Sequence, residues 1–234
     1  MNKTRVYLFT GFLESGKSSF IQDTLLEQGF GEDEKTLIIA CEEGEVEYDI
    51  PALEKENASV EFIENEEDLN YETLLHLHQK YQPTQVMIEY NGMWQVSEFE
   101  KMKLPAGWAI EQKITTVDAS TFQMYLTNLK PLFVEMVKGA ELVLFNRCED
   151  KKPLAGYRRS VKVVSPQAEV IFEDENGEVD NIFEDEVPYD LKAPVIEIPR
   201  EDYGIWYIDM QEHPERYKGK VVEFVAKVMK PKAF

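Results

Sequence analysis

The apolar and polar positions of residues 4–173 fall into short, nearly all-apolar runs separated by longer segments with helical spacing. The apolar runs predict buried strands at 4–10, 35–41, 59–63, 85–90, 108–117, 141–145 and 169–172. The segments between them predict helices at 18–26, at 68–81 with Asp68 as the cap, from Asp118 to Val137, and at 154–163. Strands that alternate with helices in this way predict an α/β fold with a mostly parallel sheet and helices on both faces.

The pattern changes from about residue 174. Residues 174–186 contain a turn and an acidic run, and we interpret them as a linker. Beyond them, the segments Ala193–Ile198, Gly204–Met210 and Lys220–Met229 have the composition of short strands, so 187–234 is expected to be a small β-rich extension. The chain ends before such strands could close a barrel, and we interpret this end as a truncated or remnant domain.

The first unit, 1–173, carries a glycine-rich motif between its first strand and its first helix. Residues 11–18 match the pattern G-x-x-x-x-G-K-[ST], in the context where backbone N–H groups and a helix N-terminus converge on a polyphosphate. Lys17 is expected to bind the β- and γ-phosphates, and Ser18 to ligate Mg²⁺. A chance glycine turn before a helix is the alternative, and the strand–loop–helix context argues against it. We expect a nucleoside triphosphate site formed by Gly11, Glu14, Ser15, Gly16, Lys17, Ser18 and Ser19.

Composition limits the partners and the compartment. The 234 residues carry a formal net charge of −20, which argues against nucleic acid and anionic membranes because both require a basic face. No apolar run approaches the ~18 residues of a membrane span, and no signal segment precedes the first strand. The two cysteines, Cys41 and Cys148, indicate a reducing environment without a disulfide framework. We expect a cytoplasmic protein without nucleic-acid or membrane partners.

Polar residues follow several of the predicted strands. Glu42, Glu89, Asp118 and Asn146 all fall at or just after a strand end. Ligands of parallel α/β sheets bind beyond the carboxyl ends of the strands. These four residues are therefore candidates for the same site as the glycine-rich loop.

Five segments, in the same order, resemble the CobW/HypB/UreG family of P-loop GTPases, particularly its CobW-like metallochaperone branch. Gly11–Ser18 is similar to the family's phosphate loop, and Cys41–Asp49 is similar to its switch, Asn-Glu-Phe-Gly-Glu-Val-x-x-Asp. Glu89–Gly92 stands where the family has Glu-Ser/Thr-Ser/Thr-Gly, and Thr116–Ala119 resembles Val-Val-Asp-Ala. Asn146–Glu149 stands where the family has the guanine-reading Asn-Lys-x-Asp, and the resemblance covers about residues 4–173.

The resemblance implies a Mg²⁺-dependent nucleoside triphosphatase with a P-loop NTPase fold. GTP is the expected substrate and ATP the alternative. Base binding is assigned to Asn146, Arg147 and Glu149, and the Gly92 N–H is expected to bind the γ-phosphate.

The acidic residues of these segments are candidates for metal binding and catalysis. Beside Ser18, the Mg²⁺ ligands are expected among Glu42, Asp49 and Glu89, directly or through water, since Mg²⁺ prefers hard oxygen ligands. Lys17 and Glu89 are the expected catalytic residues, with Glu89 orienting the attacking water. Each acidic residue has the alternative role of a solvated loop charge.

Two departures from the family pattern limit these expectations. Glu149 is one methylene longer than the family's guanine-reading aspartate and Asp150 is shifted by one position, so the choice between GTP and ATP stays open. The interval 51–88 lacks the branch's Cys-x-Cys-Cys motif, so a closed thiolate site for Zn²⁺ cannot form there. A metal ion and a client metalloprotein are expected partners through the resemblance alone, and a homodimer is a further candidate.

Three functions remain open at this point. The leading hypothesis is a CobW-type GTPase whose Glu42–Asp49 loop is a switch in metal-cofactor insertion or metal homeostasis. The alternative is a nucleotide-binding regulatory module with little or no hydrolysis, because Tyr90 and Asn91 replace small hydroxyl residues near the γ-phosphate. A P-loop kinase ranks last, since no acceptor pocket or lid segment is recognisable.

Overall fold

The computed structural model describes residues 3–31, 33–42, 44, 46–179, 187 and 189–226. The N-terminal part of these residues forms one sheet with the strands β1 (Thr4–Thr10), β2 (Thr36–Ala40), β3 (Ala58–Phe62), β4 (Gln85–Glu89), β5 (Trp108–Asp118), β6 (Leu142–Asn146), β7 (Glu169–Asp174) and β8 (Gly177–Glu178). Its helices are α1 (Lys17–Leu26), α2 (Ile50–Lys55), α3 (Tyr71–Tyr81), α4 (Val96–Lys101), α5 (Phe122–Asn128), α6 (Lys130–Val137) and α7 (Leu154–Val164). A short 3-10 helix, Glu66–Asp68, precedes α3.

The sheet is parallel except at one edge. Its strand order is β3-β2-β4-β1-β5-β6-β7-β8, and only the pairing of β7 with β8 is antiparallel. β1 lies centrally between β4 and β5, so the loop that follows β1 opens between the carboxyl ends of its two neighbours. This arrangement confirms the predicted α/β fold with a mostly parallel sheet.

Two hydrophobic clusters cover the opposite faces of the sheet. Along β1, Val6 and Leu8 belong to one cluster, whereas Tyr7 and Phe9 belong to the other, as the alternation of side chains along a strand requires. The larger cluster includes buried residues of α3, α4, α5, α6 and α7, and the smaller one includes residues of α1 and α2. Helices therefore cover both faces, as the sequence predicts.

Two details of the predicted helices are wrong. The long helix expected after Asp118 is two helices, α5 and α6, that meet at Leu129. Pro131 stands in the first turn of α6; in a continuous helix it would lack an N–H donor and its ring would clash with the Thr127 carbonyl. The cap of α3 is Asn70 and not Asp68, since the Asn70 side chain accepts a hydrogen bond from the N–H of the third helical residue at 3.0 Å.

The C-terminal residues form a small unit in which β9 (Val195–Glu197) and β10 (Val221–Glu223) pair in parallel. The strand prediction at Gly204–Met210 is wrong, because these residues belong to helix α8 (Tyr203–Glu212). Parallel strands cannot be joined by a tight turn and need a crossover connection, which α8 supplies. Its Trp206 lies in the same hydrophobic cluster as Ile196 of β9, so the apolar residues of this segment face the strand pair from a helix.

Two parts of the predicted C-terminal region lie outside the described residues. They are 180–186 of the predicted linker and 227–229 at the end of the last predicted strand. The division of the chain at 173 and 187 stays a prediction, since β7 reaches Asp174 and is followed by β8. None of the helices in the described ranges combines the length and the apolar character needed to cross a membrane.

Candidate functional site

The glycine-rich loop lies between β1 and α1 and contacts the carboxyl ends of β5 and β6. The Ser15 hydroxyl lies 2.9 Å from the hydroxyl of Thr116 on β5. The side-chain amide of Asn146, at the end of β6, donates a hydrogen bond to the Ser15 carbonyl at 2.8 Å. Gly16 has a φ of 90°, and a Cβ atom there would lie 2.5 Å from Asn146 Nδ2. The conformation therefore favours glycine at this point, and a side chain here would also displace the Asn146 amide.

Lys17, the first residue of α1, is a buried cation. Its Nζ donates to the Gly11 carbonyl at 3.0 Å and to the Phe12 carbonyl at 2.9 Å, and it pairs with the Glu42 carboxylate. The other carboxylate oxygen of Glu42 accepts a hydrogen bond from the backbone N–H of Gly92 at 3.3 Å. Glu42 therefore joins Lys17 to Gly92, the two groups that the sequence assigns to the γ-phosphate.

Glu89 is the last residue of β4 and is almost completely buried. One of its carboxylate oxygens accepts a hydrogen bond from the Ser18 hydroxyl at 2.7 Å, and the other accepts one from the Tyr48 hydroxyl at 2.6 Å. Burial raises the pKa of the Glu89 carboxyl above its usual range, although these hydrogen bonds and the charge of Lys17 oppose the shift. Burial and the Glu89 charge raise the pKa of the Tyr48 phenol well above its usual range, so its hydroxyl remains a donor.

The other end of the site is formed by Arg147 and Asp118. Arg147 has a positive φ of 53°, and its guanidinium donates to the Asp118 carboxylate at 2.6 Å and to the Glu14 carbonyl at 3.0 Å. Burial acts to raise the pKa of Asp118, but hydrogen bonds from Ser120 and Arg147 outweigh it and hold the pKa below its usual range. Among the described residues, the buried Oδ1 of Asn146 has no hydrogen-bond partner.

These groups surround a cavity of about 270 Å³. The predicted site residues in its lining are Glu14, Gly16, Lys17, Ser18, Ser19, Glu42, Glu89 and Arg147. The lining also includes Gly44, Val46 and Asp118. Gly11 and Gly92 contact the lining residues Lys17 and Glu42 through the hydrogen bonds described above. Ser15 and Asn146 are not part of the lining and are hydrogen-bonded to each other.

Asp49 and Glu149 are also not part of this lining. Glu149 is exposed, and so is the neighbouring Asp150, whose carboxylate accepts a hydrogen bond from the Lys152 N–H at 3.1 Å. Asp49 caps α2, since its side chain accepts a hydrogen bond from the Ala52 N–H at 3.0 Å. The structure therefore gives Asp49 a helix-capping position and leaves Glu149 at the surface.

Sequence reasoning missed Tyr48, which holds one oxygen of Glu89. It is the only aromatic residue in the acidic segment 42–49, and that isolation was the available signal. The pairing of Lys17 with Glu42 was also missed, because it depends on how β2 and the phosphate loop approach each other.

The two cysteines do not form a metal site with each other. Burial is the main cause that raises the pKa of both thiols, that of Cys148 to about 11. Cys41 follows β2 and Cys148 follows β6, and three strands lie between them, which separates them by roughly 19 Å at ~4.8 Å per strand. In the part of the chain that the structure describes, no group of three or more Cys, His, Asp or Glu side chains is arranged to hold a metal ion.

Comparisons with known proteins bear on the whole N-terminal part. A sequence model of the CobW/HypB/UreG nucleotide-binding domain matches residues 5–172, and no curated protein gives a significant sequence match. The Zn(II)-bound YjiA GTPase from E. coli is similar over 77% of this chain and 60% of its own, with a TM-score of 0.57 and 22% identity. The hydrogenase maturation factor HypB from Archaeoglobus fulgidus is similar over 74% of this chain and 82% of its own, with a TM-score of 0.50 and 16% identity. The chain thus spans about three fifths of the YjiA chain, and these likenesses show a P-loop NTPase-like fold.

Proposed function

Because the chain belongs to the CobW/HypB/UreG family, we propose that it binds a nucleoside triphosphate together with Mg²⁺ and hydrolyses it to the diphosphate. The observation that carries this proposal is the convergence of Lys17, Ser18 and Glu89 on one cavity at the carboxyl edge of the sheet. The cation and the helix N-terminus favour a polyphosphate there, and a buried carboxylate lies beside the phosphate-loop hydroxyl. GTP is the substrate we favour, and ATP is the alternative.

The side chains present suit Mg²⁺. The oxygens of the Ser18 hydroxyl and the Glu89 carboxylate lie 2.7 Å apart, and both are hard ligands. Mg²⁺ in phosphoryl-transfer sites takes one or two such groups together with waters and substrate phosphates. We assign Ser18 as a direct ligand and Glu89 as a ligand through water. The ion supplies neutralisation of the charge that develops on the phosphate oxygens.

The γ-phosphate is assigned to Lys17 and to the Gly92 N–H. Both donors contact the Glu42 carboxylate, so an incoming phosphate replaces one anion by another at the same donors. Glu42 then leaves Lys17, and the segment 42–49 that carries it changes position with the nucleotide state. We therefore assign Glu42 to the switch rather than to direct metal binding.

Hydrolysis requires a water molecule in line with the β–γ bond. Each carboxylate oxygen of Glu89 has lone pairs beyond the one used by Ser18 or Tyr48, so Glu89 can accept a hydrogen bond from that water. Lys17 stabilises the negative charge of the transferred phosphoryl group. Glu89 and Lys17 are thus the catalytic residues of the proposal.

We extend the proposal to a switch role in metal-cofactor insertion or metal homeostasis, with a client metalloprotein as the partner and the cytoplasm as the site of action. Family membership and the Zn(II) bound in the YjiA structure support this part. Since the described residues offer no metal-binding cluster of their own, we expect the metal to be shared with ligands from the client.

The test is phosphate release and calorimetry with GTP and ATP analogues, with and without Mg²⁺. Lys17→Ala in a Glu42→Gln background should abolish binding and turnover that the Glu42→Gln protein retains. The second substitution is included because Lys17→Ala alone leaves a buried carboxylate unpaired. Turnover that survives in the double variant would end the proposal.

Lys113→Ala is the matched control for this experiment. Lys113 is also a buried lysine, and its Nζ contacts the Glu135 and Lys138 carbonyls and the Glu100 carboxylate at 2.8–3.2 Å, outside the cavity. Its loss removes a comparable set of contacts without touching the phosphate loop. We expect Lys113→Ala to lower stability and to leave nucleotide affinity unchanged.

A regulatory module with negligible turnover is the second candidate. The Tyr90 hydroxyl donates to the Gln95 carbonyl at 3.0 Å, and the Asn91 side chain bonds the Cys41 carbonyl at 3.1 Å and the Met93 N–H at 2.9 Å. Neither side chain therefore presents a hydroxyl to the phosphate, as the family's Ser or Thr would. Robust multiple turnover of GTP or ATP would eliminate this candidate.

A further inference from the structure

We propose that Tyr48 is a positioning residue for this reaction: its hydroxyl fixes the Glu89 carboxylate beside Ser18 and ties the segment before α2 to the catalytic site. The inference rests on the proposed function. It adds a residue that the family's switch pattern leaves unspecified, because Tyr48 stands at an x position of Asn-Glu-Phe-Gly-Glu-Val-x-x-Asp.

The first support is the way in which the Glu89 carboxylate is held. Its two oxygens accept hydrogen bonds from two hydroxyls, that of Ser18 at 2.7 Å and that of Tyr48 at 2.6 Å. Hydrogen bonds to an ionised acceptor are among the shorter and stronger ones in proteins. Rotation of the carboxylate would break both bonds at once, so its orientation depends on both donors.

The second support is that Tyr48 is itself held from both sides. The Gln22 side chain on α1 donates to the Glu47 carbonyl at 3.3 Å and accepts a hydrogen bond from the Asp49 N–H at 2.7 Å. These bonds attach the residues before and after Tyr48 to the same helix that carries Ser18. The Tyr48 ring packs against the hydrophobic cluster under α1 and α2 and lies edge-on to Phe62, with 6.4 Å between the ring centroids. The backbone and the ring of Tyr48 are thus both held in place where its hydroxyl contacts Glu89.

The consequence concerns geometry at the reacting centre. Glu89 is assigned to orient the attacking water and a metal-bound water, and both tasks require a fixed direction of its lone pairs. Without the Tyr48 hydroxyl, one oxygen loses its donor and the carboxylate is free to turn about its bond to Ser18. Loss of such a supporting hydrogen bond typically lowers activity or metal affinity by about 10–100-fold.

Tyr48→Phe tests the inference, because it removes the hydroxyl and keeps the ring. We expect kcat for GTP hydrolysis to fall by about 10–100-fold, while KM for the nucleotide changes by less than about threefold. The matched control is Tyr81→Phe, which removes the same group from another tyrosine–glutamate hydrogen bond, that of Tyr81 with Glu61. Tyr81→Phe should leave kcat unchanged.

A double-variant cycle shows whether Tyr48 acts through Glu89. If it does, Tyr48→Phe lowers kcat in the wild-type background and has little further effect in a Glu89→Gln background. Equal fold-losses in the two backgrounds would overturn the inference, and so would a kcat of Tyr48→Phe that matches the Tyr81→Phe control.

A readout without turnover separates this inference from the proposed function. For a non-hydrolysable GTP analogue, Tyr48→Phe should raise the Mg²⁺ concentration needed for half-maximal tight binding by about tenfold and leave the Mg²⁺-free affinity unchanged. If the wild type binds the analogue but does not hydrolyse GTP, hydrolysis fails as a function and the Mg²⁺ titration alone decides the role of Tyr48. An unchanged Mg²⁺ midpoint would then refute it.

Discussion

The pairing of Glu42 with Lys17 makes a quantitative prediction about nucleotide affinity. The two side chains are 7% and 1% exposed, so the pair is buried, and Glu42 also accepts a hydrogen bond from the Gly92 N–H. A triphosphate that uses Lys17 and Gly92 must first displace this carboxylate. Glu42→Gln keeps the shape of the side chain and removes its charge. The side chain that competes with the phosphate for Lys17 is therefore bound less strongly, and no cavity is created.

The size of the effect follows from the bond that is lost. A hydrogen bond to a charged group contributes about 1.5–3 kcal/mol, which corresponds to a factor of about 10–150 in an equilibrium constant. We expect Glu42→Gln to tighten the binding of a non-hydrolysable GTP analogue by about tenfold or more. The same change leaves Lys17 buried without its charge partner, which lowers the free energy of unfolding by roughly 3–5 kcal/mol.

Calorimetry with the analogue, with and without Mg²⁺, and urea unfolding measure the two effects. The control is Glu100→Gln, which removes the acidic partner of another buried lysine, Lys113, and should not change nucleotide affinity. A Glu42→Gln protein that binds the analogue more weakly, and only when Mg²⁺ is present, would refute the reasoning. Glu42 would then be a metal ligand and not a competitor of the phosphate.

Three further predictions concern single residues of the site. Gly92→Ala should lower analogue affinity by more than about tenfold in calorimetry, because the new Cβ would lie 2.5 Å from the Gly11 carbonyl oxygen; unchanged affinity would show that the loops can separate freely. Asp118→Asn should be less stable than the wild type at pH 7 in urea unfolding. Because the pKa of Asp118 is held below its ordinary value of 3.8, this difference should be complete above about pH 4 and disappear as the pH falls through the lowered pKa; a difference that does not depend on pH would contradict the assignment. Glu149→Ala should leave the preference between GTP and ATP analogues unchanged, since Glu149 is exposed, whereas Asn146→Ala should weaken binding; a loss of preference in Glu149→Ala would mean that this loop closes over the base.

The strands and the phosphate loop could be predicted from the sequence because their signals are local. Buried parallel strands are continuous apolar runs, and the phosphate loop is a motif of eight consecutive positions, Gly11–Ser18. The order of the strands also brings Glu42, Glu89, Asp118 and Asn146 to one edge, which the strand-end rule anticipates.

Other features depend on packing that no local pattern records. Trp206 and its neighbours have a strand-like composition, yet they form α8 because the parallel pairing of β9 and β10 needs a crossover. The bond between Tyr48 and Glu89 joins residues 41 positions apart, so composition alone cannot reveal it. The capping of α2 by Asp49 is likewise not evident from the acidic composition of residues 42–49.

The position of Gln22 gives α1 a mechanical property. Ser18 and Gln22 lie four residues apart and therefore share one face of this helix. Ser18 contacts Glu89, while the Gln22 side chain forms hydrogen bonds with the backbone on either side of Tyr48. Because both side chains are carried by one short helix, a rotation of α1 would displace the contact with Glu89 and the contacts beside Tyr48 together. The helix α1 therefore connects the phosphate loop at its N-terminus to the chain that enters α2.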